Sequence, residues 1–352
     1  MLLNERIRAF AELGRFLSQF RVSGNQKDDT IPFNSDFFEL MTEKISVAKH
    51  HNGWFTEENV RFSLSQWSTL LTERKLKEWL RDYDLQPVTP KTVGIIMAGN
   101  IPLVGFHDFI CVLLTGHRVQ IKQSSNDSII LPVLVSYLQA IQSYFKKYIH
   151  FDDSFTTVDA IIATGSNNTA RYFEYYFSKK PHIIRKNRNS VAILTGKESA
   201  EQLASLGEDI FRYYGLGCRS VSKIFVPKDY KFDPFFEAIY EYQDIMNSSK
   251  YANNYDYNKT VYLMSNFKLL ENGFLLLKED DSYGSPIATL FYEYYSDEND
   301  LQVKIDRDAE KIQCIVADNF QFDTIDFGET QKPSLTDYPD GIDVIQFLSK
   351  IN

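Results

Sequence analysis

The feature that most constrains the fold is an alternation of short apolar runs and helical stretches between about residues 90 and 177. The predicted order is strand 93–97, helix 104–115, strand 119–122, helix 129–148, strand 159–163 and helix 169–177. Repeated strand, helix and strand require a mostly parallel sheet with helices on both faces. Ligands of such sheets bind beyond the carboxyl ends of the strands, so the loops that follow these strands are the first candidates for a site.

Length, charge and cysteine content narrow the class of protein. The chain has 352 residues, a net charge of -9 and the cysteines Cys111, Cys218 and Cys314. This length predicts two domains, and the acidic balance disfavours binding to nucleic acid or anionic membranes. Three widely separated cysteines indicate neither a disulfide framework nor a metal site, which makes the cytoplasm the expected location. The sequence has no run of about 18 apolar residues that would predict insertion into a membrane.

The residue with the clearest chemical signature is Cys218, within Gly215-Leu216-Gly217-Cys218-Arg219. The thiolate is the reactive form of cysteine, and a neighbouring cation such as Arg219 favours it. Gly215 and Gly217 permit conformations and close approaches that a Cβ resists, so a substrate carbonyl can reach the sulfur. We interpret Cys218 as a nucleophile, the alternative being a buried structural thiol.

Other candidate residues are less distinctive. No G-x-G-x-x-G occurs in the chain, so a bound nucleotide requires other loops. Thr164-Gly165-Ser166 lies between a predicted strand and a helix and is a candidate phosphate site. His107-Asp108 resembles half of a catalytic triad, but adjacent side chains on a helix diverge, which favours a structural role.

Five short blocks, in this order, resemble the signature blocks of the aldehyde dehydrogenase superfamily. They are Ala98-Gly99-Asn100-Ile101-Pro102, Lys122-Gln123-Ser124-Ser125, Ala163-Thr164-Gly165-Ser166, Gly217-Cys218 and Asp281-Ser282-Tyr283-Gly284-Ser285-Pro286. Within the superfamily the chain resembles the acyl-CoA reductase branch and is similar to the fatty acid reductase of bacterial bioluminescence. The resemblance runs from about Thr92 to the C terminus and includes Asp326-Phe327-Gly328.

The resemblance implies an α/β fold with two Rossmann-like domains, a cleft between them and an N-terminal helical region. The expected parts are residues 1–90, helices packing on the cofactor domain; 91–195, the NAD(P)-binding domain; 196–328, the catalytic domain carrying Cys218; and 329–352, a C-terminal segment. Members of the superfamily usually pair through a protruding hairpin and a C-terminal strand, and the resemblance implies that residues 341–348 are such a strand. The connection over residues 82–90 is short for the usual hairpin of the superfamily. The prediction is therefore a homodimer rather than a tetramer.

The resemblance also implies roles for single residues. The amide of Asn100 and the N–H of Cys218 would hold an oxyanion on the substrate carbonyl, and such donors are worth about 3–4 kcal/mol in other enzymes. The alternative for Asn100 is a helix cap. Lys122 and Asp281 would bind cofactor riboses, although the family usually has a glutamate at the second position. Thr164-Gly165-Ser166 would pack against the pyrophosphate or the nicotinamide.

Two departures from the family pattern define the expected chemistry. Hydrolytic relatives carry a glutamate before the nucleophile that activates water, whereas residues 180–196 contain no carboxylate here. An acyl-cysteine without that base persists long enough to exchange with a thiol or to accept hydride. Ser125 stands where NAD-preferring relatives often place a glutamate, so NADPH is favoured and NADH is permitted.

The expected activity is NADPH-dependent reduction of an acyl-CoA, such as a fatty acyl-CoA, to an aldehyde through an acyl-cysteine on Cys218, with coenzyme A released. The competing hypotheses are a cysteine acyltransferase or thioesterase, and a non-catalytic binding protein of the same fold. Arg185 and Arg188, in a cationic predicted strand, and Arg219 are expected to meet a ligand phosphate. The alternative is a solvated strand whose inner face is His182 and Ile184.

Overall fold

The computed structural model describes residues 1–85, 89–318, 320 and 323–351. These residues form two compact units, the first made of residues 1–186 and 334–352, the second of residues 187–333. Among the described residues, none of the helices combines the length and the apolar character that crossing a bilayer requires.

The first unit begins with helices that pack onto a sheet. They are α1 (Leu3–Leu17), α2 (Asn34–His51), α3 (Glu57–Leu70) and α4 (Glu73–Leu80), with a hairpin of β1 (Phe20–Arg21) and β2 (Gly24–Asn25) after α1. Thr56 and Thr72 begin α3 and α4, and each hydroxyl accepts an N–H from the first turn. Phe10 of α1 lies edge-on to Phe109, and Phe16 stacks on Tyr137, so this region shares one core with the sheet. The predicted helical N-terminal region is confirmed.

The sheet of the first unit is parallel throughout. Its elements are β3 (Thr92–Ile96), α5 (Phe106–Leu114), β4 (Arg118–Lys122), α6 (Ile130–Ile141), β5 (Ile149–Phe151), β6 (Ala160–Thr164), α7 (Asn167–Phe177) and β7 (His182–Arg185). The strand order is β5-β4-β3-β6-β7. Both predicted βαβ units are therefore confirmed. The helix predicted over 129–148 ends at Ile141, and a 3-10 turn, Ser143–Lys147, follows.

The second unit is a six-stranded sheet with helices. Its elements are β8 (Asn189–Ile193), α8 (Ala200–Phe211), β9 (Val221–Pro227), α9 (Asp233–Ala238), α10 (Ser249–Met264), β10 (Leu269–Glu271), β11 (Leu276–Glu279), β12 (Thr289–Tyr295), α11 (Glu298–Arg307) and β13 (Ile312–Val316). The order is β10-β11-β12-β9-β8-β13, parallel except for the pair β10 and β11. The boundary expected after residue 195 is corrected to residue 186, because β8 pairs with β9 and β13.

The C-terminal segment returns to the first unit. Residues 344–349 form α12 (Val344–Ser349), and Val344, Ile345 and Leu348 are buried in the first core. The predicted oligomerisation strand is therefore wrong. The homodimer loses that support and stays a prediction for light scattering, and part of the 82–90 connection lies outside the described residues.

Candidate functional site

Three adjacent strands of the first unit lead to the predicted oxyanion donor Asn100 and to two of the predicted cofactor residues, Lys122 and Thr164. Asn100 follows β3, Lys122 is the last residue of β4, and Thr164 is the last residue of β6. These strands are neighbours in the order β4-β3-β6 and run parallel, so the residues share the carboxyl edge of the sheet. Lys122 is exposed, and Asn100 and Thr164 are half-buried. The cofactor site expected at this edge stays a prediction.

Ser166 has a structural task at this edge. Its hydroxyl accepts the N–H of Thr169 at 3.2 Å and thereby caps α7. The cap holds Thr164-Gly165-Ser166 at the N-terminal end of α7, where amide dipoles favour an anion. The predicted cofactor role of this loop stays a prediction.

The Asn100 and Lys122 loops are tied together by Asp127, which sequence reasoning missed. The Oδ2 atom of Asp127 accepts the N–H of Leu103 at 2.8 Å, and Leu103 has a left-handed backbone with a φ of 60°. A Cβ on Gly99 would lie 2.5 Å from Ser124 Oγ, so Gly99 allows the two loops to touch. The other oxygen, Oδ1, is buried without a hydrogen-bond partner among the described residues. The only sequence signal for a role of Asp127 was its position five residues after Lys122.

The buried carboxyl of Asp127 makes stability depend on pH. Burial raises its pKa to about 6, opposed in part by the Leu103 N–H. The folded state therefore holds this proton more tightly than the unfolded state, in which the pKa is 3.8. Stability from the protonated form is present below about pH 4 and is lost as the pH rises through about 6.

Asp127→Asn should remove this dependence while keeping an oxygen for Leu103. Between about pH 4 and about pH 7 the variant is expected to gain up to about 3 kcal/mol relative to the wild type. Urea unfolding followed by fluorescence measures the first unit, since Trp54, Trp67 and Trp79 all lie there. Asp29→Asn, at an exposed carboxyl, is the control. A stability difference that narrows as the pH rises would contradict the prediction.

Arg185 is not a surface cation, which corrects the prediction that it meets a ligand phosphate. It is 3% exposed, and its two Nη atoms donate to the carboxylate of Asp108 at 2.5 and 2.9 Å. Burial lowers the pKa of Arg185, but the charge and hydrogen bonds of Asp108 outweigh this and leave it raised. The alternative, a strand whose inner face is His182 and Ile184, is also wrong, because Ile183 is buried and His182 is exposed.

His107 and Arg188 have structural contacts. His107 is buried, its Nε2 lies 3.0 Å from the carbonyl oxygen of Leu335, and burial lowers its pKa. With Asp108 engaged by Arg185, the triad alternative gains no support. Arg188 belongs to the second unit, where its Nη1 donates to the carbonyl of Ile312 at 3.4 Å. Its proposed phosphate role stays a prediction.

Cys218 lies on a tight turn between α8 and β9 in the second unit. The residues before it, Tyr213, Tyr214 and Gly215, all have positive φ, at 56°, 58° and 74°. Gly215 adopts its positive φ without strain, as expected for a glycine. Each left-handed tyrosine, in contrast, costs on the order of 1–3 kcal/mol of conformational free energy. The chain thereby reverses and presents Cys218 half-buried, while Cys111 and Cys314 are buried. The Ser190 hydroxyl donates to the Cys218 carbonyl at 2.9 Å and fixes the turn to β8.

Lys223 stabilises the turn that carries Asp281 by a hydrogen bond to the preceding residue, Asp280. Asp281 is exposed, and the neighbouring Asp280 accepts an ion pair from Lys278 and the N–H of Ser282. Lys223 has no exposed surface, and its Nζ donates to the Asp280 carbonyl at 3.0 Å and to Glu293 at 2.5 Å. Burial lowers the pKa of Lys223, and Glu293 opposes that effect. A lysine inside the apolar run of β9 was the sequence signal for this support.

Across the residues that the structure describes, no three His, Cys, Asp or Glu side chains come together as a metal site.

A family model described as acyl-CoA reductase (LuxC) matches residues 68–238. The matched stretch contains Asn100, Lys122, Ser125 and Cys218 and ends before Asp281. A search of curated proteins found no match.

Solved structures with a similar fold are aldehyde dehydrogenases. The NAD-dependent enzyme from Sinorhizobium meliloti has a TM-score of 0.64 and 13% identity, covering 95% of this chain and 73% of that one. An aldehyde dehydrogenase from Bacillus cereus has a TM-score of 0.62 and 13% identity, covering 90% and 71%. An indole-3-acetaldehyde dehydrogenase complexed with NAD+ has a TM-score of 0.64 and 13% identity, covering 90% and 72%. At this identity the likeness establishes the fold.

Proposed function

Because residues 68–238 match the acyl-CoA reductase (LuxC) family model and the fold is similar to that of aldehyde dehydrogenases, we propose that the chain reduces an acyl-CoA to an aldehyde through an acyl-cysteine on Cys218. The observation that carries the proposal is the half-buried Cys218 on a turn fixed at its carbonyl by Ser190. Two positive-φ tyrosines before it indicate a conformation retained despite its cost, which is typical of reactive sites.

The proposed reaction transfers the acyl group to Cys218 and then reduces it to an aldehyde. The Cys218 thiolate adds to the thioester carbonyl, the C–S bond to coenzyme A breaks, and coenzyme A leaves as its thiolate. The Cys218 N–H would stabilise the oxyanion formed in this step, and the oxyanion role of Asn100 stays a prediction. A bound nicotinamide cofactor would supply hydride to the acyl carbon. The resulting thiohemiacetal oxyanion collapses to the aldehyde and returns the Cys218 thiolate, while the departing coenzyme A takes up a proton from water.

We propose that a nicotinamide cofactor binds at the carboxyl edge of the first sheet. Lys122 and Ser125 would take a ribose, and Thr164-Gly165-Ser166 would lie against the pyrophosphate or nicotinamide. Ser125 places no negative charge against a 2′-phosphate, which favours NADPH and permits NADH. Asp281, exposed on its turn, is the candidate for the second ribose.

The absence of a carboxylate over residues 180–196 supports reduction rather than hydrolysis. Arg185 lies in this stretch, but its cationic side chain is held in a buried ion pair with Asp108. It therefore cannot act as a base. The acyl group would therefore wait on Cys218 for hydride or for a second thiol. A cytoplasmic location is the setting we expect for this reaction.

The test is an assay of acyl-CoA with NADPH, with NADH and with no nucleotide, in which released coenzyme A and oxidised nucleotide are followed separately. We expect equal amounts of both products with NADPH and a single turnover of coenzyme A release without nucleotide. Sustained release of coenzyme A without nucleotide would favour the thioesterase alternative. Absence of any release would favour a binding protein.

A further inference from the structure

A buried hydrogen-bond network beside the proposed nucleophile begins at Asp209 on α8. Asp209 has no exposed surface. Its carboxylate accepts the N–H of Gly328 at 2.7 Å, and the N–H and hydroxyl of Thr330 at 3.0 and 2.8 Å. Burial raises its pKa, while these three donors oppose the change. A buried carboxylate with three donors from one segment fixes that segment firmly.

Residues 328–331, here called the clamp segment, hold both residues that follow Cys218. The Thr330 carbonyl accepts Nε of Arg219 at 2.5 Å, and Gln331 donates to the Ser220 hydroxyl at 3.3 Å. Thr330, Gln331 and Ser220 are all buried. The clamp segment lies more than a hundred residues after Cys218 in the chain, so its position there depends on Asp209 rather than on local sequence.

The conformation of the clamp segment is specific. Gly328 has a φ of 83°, and a Cβ there would lie 3.1 Å from Ser205 Cβ, so α8 and the segment meet at close range. Within the turn, the Ser220 N–H donates to the Gly217 carbonyl at 2.9 Å. The sulfur-bearing turn is thus fixed at Cys218 by Ser190, and at Arg219 and Ser220 by the clamp segment.

We propose that Asp209 is a positioning residue for Cys218, acting through the clamp segment to hold the nucleophile turn in its reactive geometry. Arg219 then serves as an anchor of the turn rather than as a ligand for substrate phosphate. The catalytic part of this proposal rests on the proposed function, whereas the positioning part does not.

The experiment compares Asp209→Asn, Gln331→Met and the wild type. Asp209→Asn keeps one acceptor but brings an NH2 group against donors, and Gln331→Met removes only the Ser220 contact. Glu201→Gln, on the exposed face of the same helix, is the control. Hydrogen exchange is measured on peptides covering residues 214–221, residues 326–332 and β9, together with kcat and KM for acyl-CoA and NADPH.

Losing one such hydrogen bond is worth about 1–1.5 kcal/mol, or about tenfold. We expect about tenfold faster exchange in residues 214–221 in both variants, unchanged exchange in β9, and about tenfold lower kcat with unchanged KM for NADPH. The control should match the wild type in every measurement. The KM for NADPH is informative because the predicted cofactor residues Lys122 and Thr164 belong to the first unit.

Each other outcome is decisive. Faster exchange confined to residues 326–332 would reduce Asp209 to a structural residue and overturn the proposal. Faster exchange of the turn with unchanged kcat would overturn the catalytic consequence. If Asp209→Asn fails to fold, Gln331→Met decides by the same criteria. A wild type that does not reduce acyl-CoA would remove the proposed function, while exchange of the turn still tests the positioning role.

Discussion

Cys218→Ala is expected to abolish acyl-CoA reduction, with kcat/KM falling by roughly 10⁴-fold or more, as when other enzymes lose a covalent nucleophile. Cys218→Ser should be nearly as inactive, because a hydroxyl without a neighbouring base is a far weaker nucleophile than a thiolate. Intact mass spectrometry after mixing with acyl-CoA alone should detect one added acyl group on the wild type. The adduct should be missing from both variants.

The matched control for this result is Cys314→Ala, which removes a buried thiol from the same unit. It should retain the acyl adduct and NADPH oxidation at close to the wild-type rate. Unchanged NADPH oxidation in Cys218→Ala would eliminate the acyl-cysteine scheme. An adduct that persists in Cys218→Ala would place the acyl group on another residue.

Breaking the ion pair between Asp108 and Arg185 is expected to produce the largest loss of stability in the first unit. Both side chains are 4% exposed, and the two hydrogen bonds between them are bidentate. Removing one partner leaves the other charge buried and unpaired, which costs about 3–5 kcal/mol. Asp108→Ala and Arg185→Ala should each show this loss in urea unfolding followed by tryptophan fluorescence.

A double-mutant cycle separates the pair from its surroundings. Asp108→Ala with Arg185→Ala should be less destabilising than the sum of the single losses, since neither charge is then stranded. The control cycle uses Arg74 and Glu78, an exposed pair on α4, for which about 0–1 kcal/mol is expected. Additive losses at Asp108 and Arg185 would mean that the two charges do not depend on each other.

Much of the fold was predictable because its signals are local. The runs that became β3, β4 and β6 are short, apolar and bounded by turn residues, and the intervening helices carry their own periodicity. Gly215 and Cys218 also gave a local signal, since a cysteine that closely follows two glycines suits a sharp turn. Tyr213 and Tyr214 gave none, because nothing in a tyrosine predicts a left-handed backbone.

The errors arose where the outcome depends on distant partners. A cation in a strand normally faces water, and Arg185 faces inward only because Asp108, 77 residues earlier, meets it there. Residues 342–348 are mostly apolar, which led to the prediction of an edge strand, yet Val344, Ile345 and Leu348 fit one helical face. Asp343 settles the choice, because its carboxylate accepts the Gln346 N–H and caps a helix.

The return of residues 334–352 to the first unit fixes an order of assembly during synthesis. The second unit is a continuous stretch, residues 187–333, and all of it has been made before residues 334–352 are added. The first unit still lacks α12 at that moment, and with it Leu335 and Tyr338, the partners of His107 and Trp79. The unit that begins later in the chain is therefore the one whose residues are all made first, while the unit that begins earlier still needs residues 334–352 to complete its core.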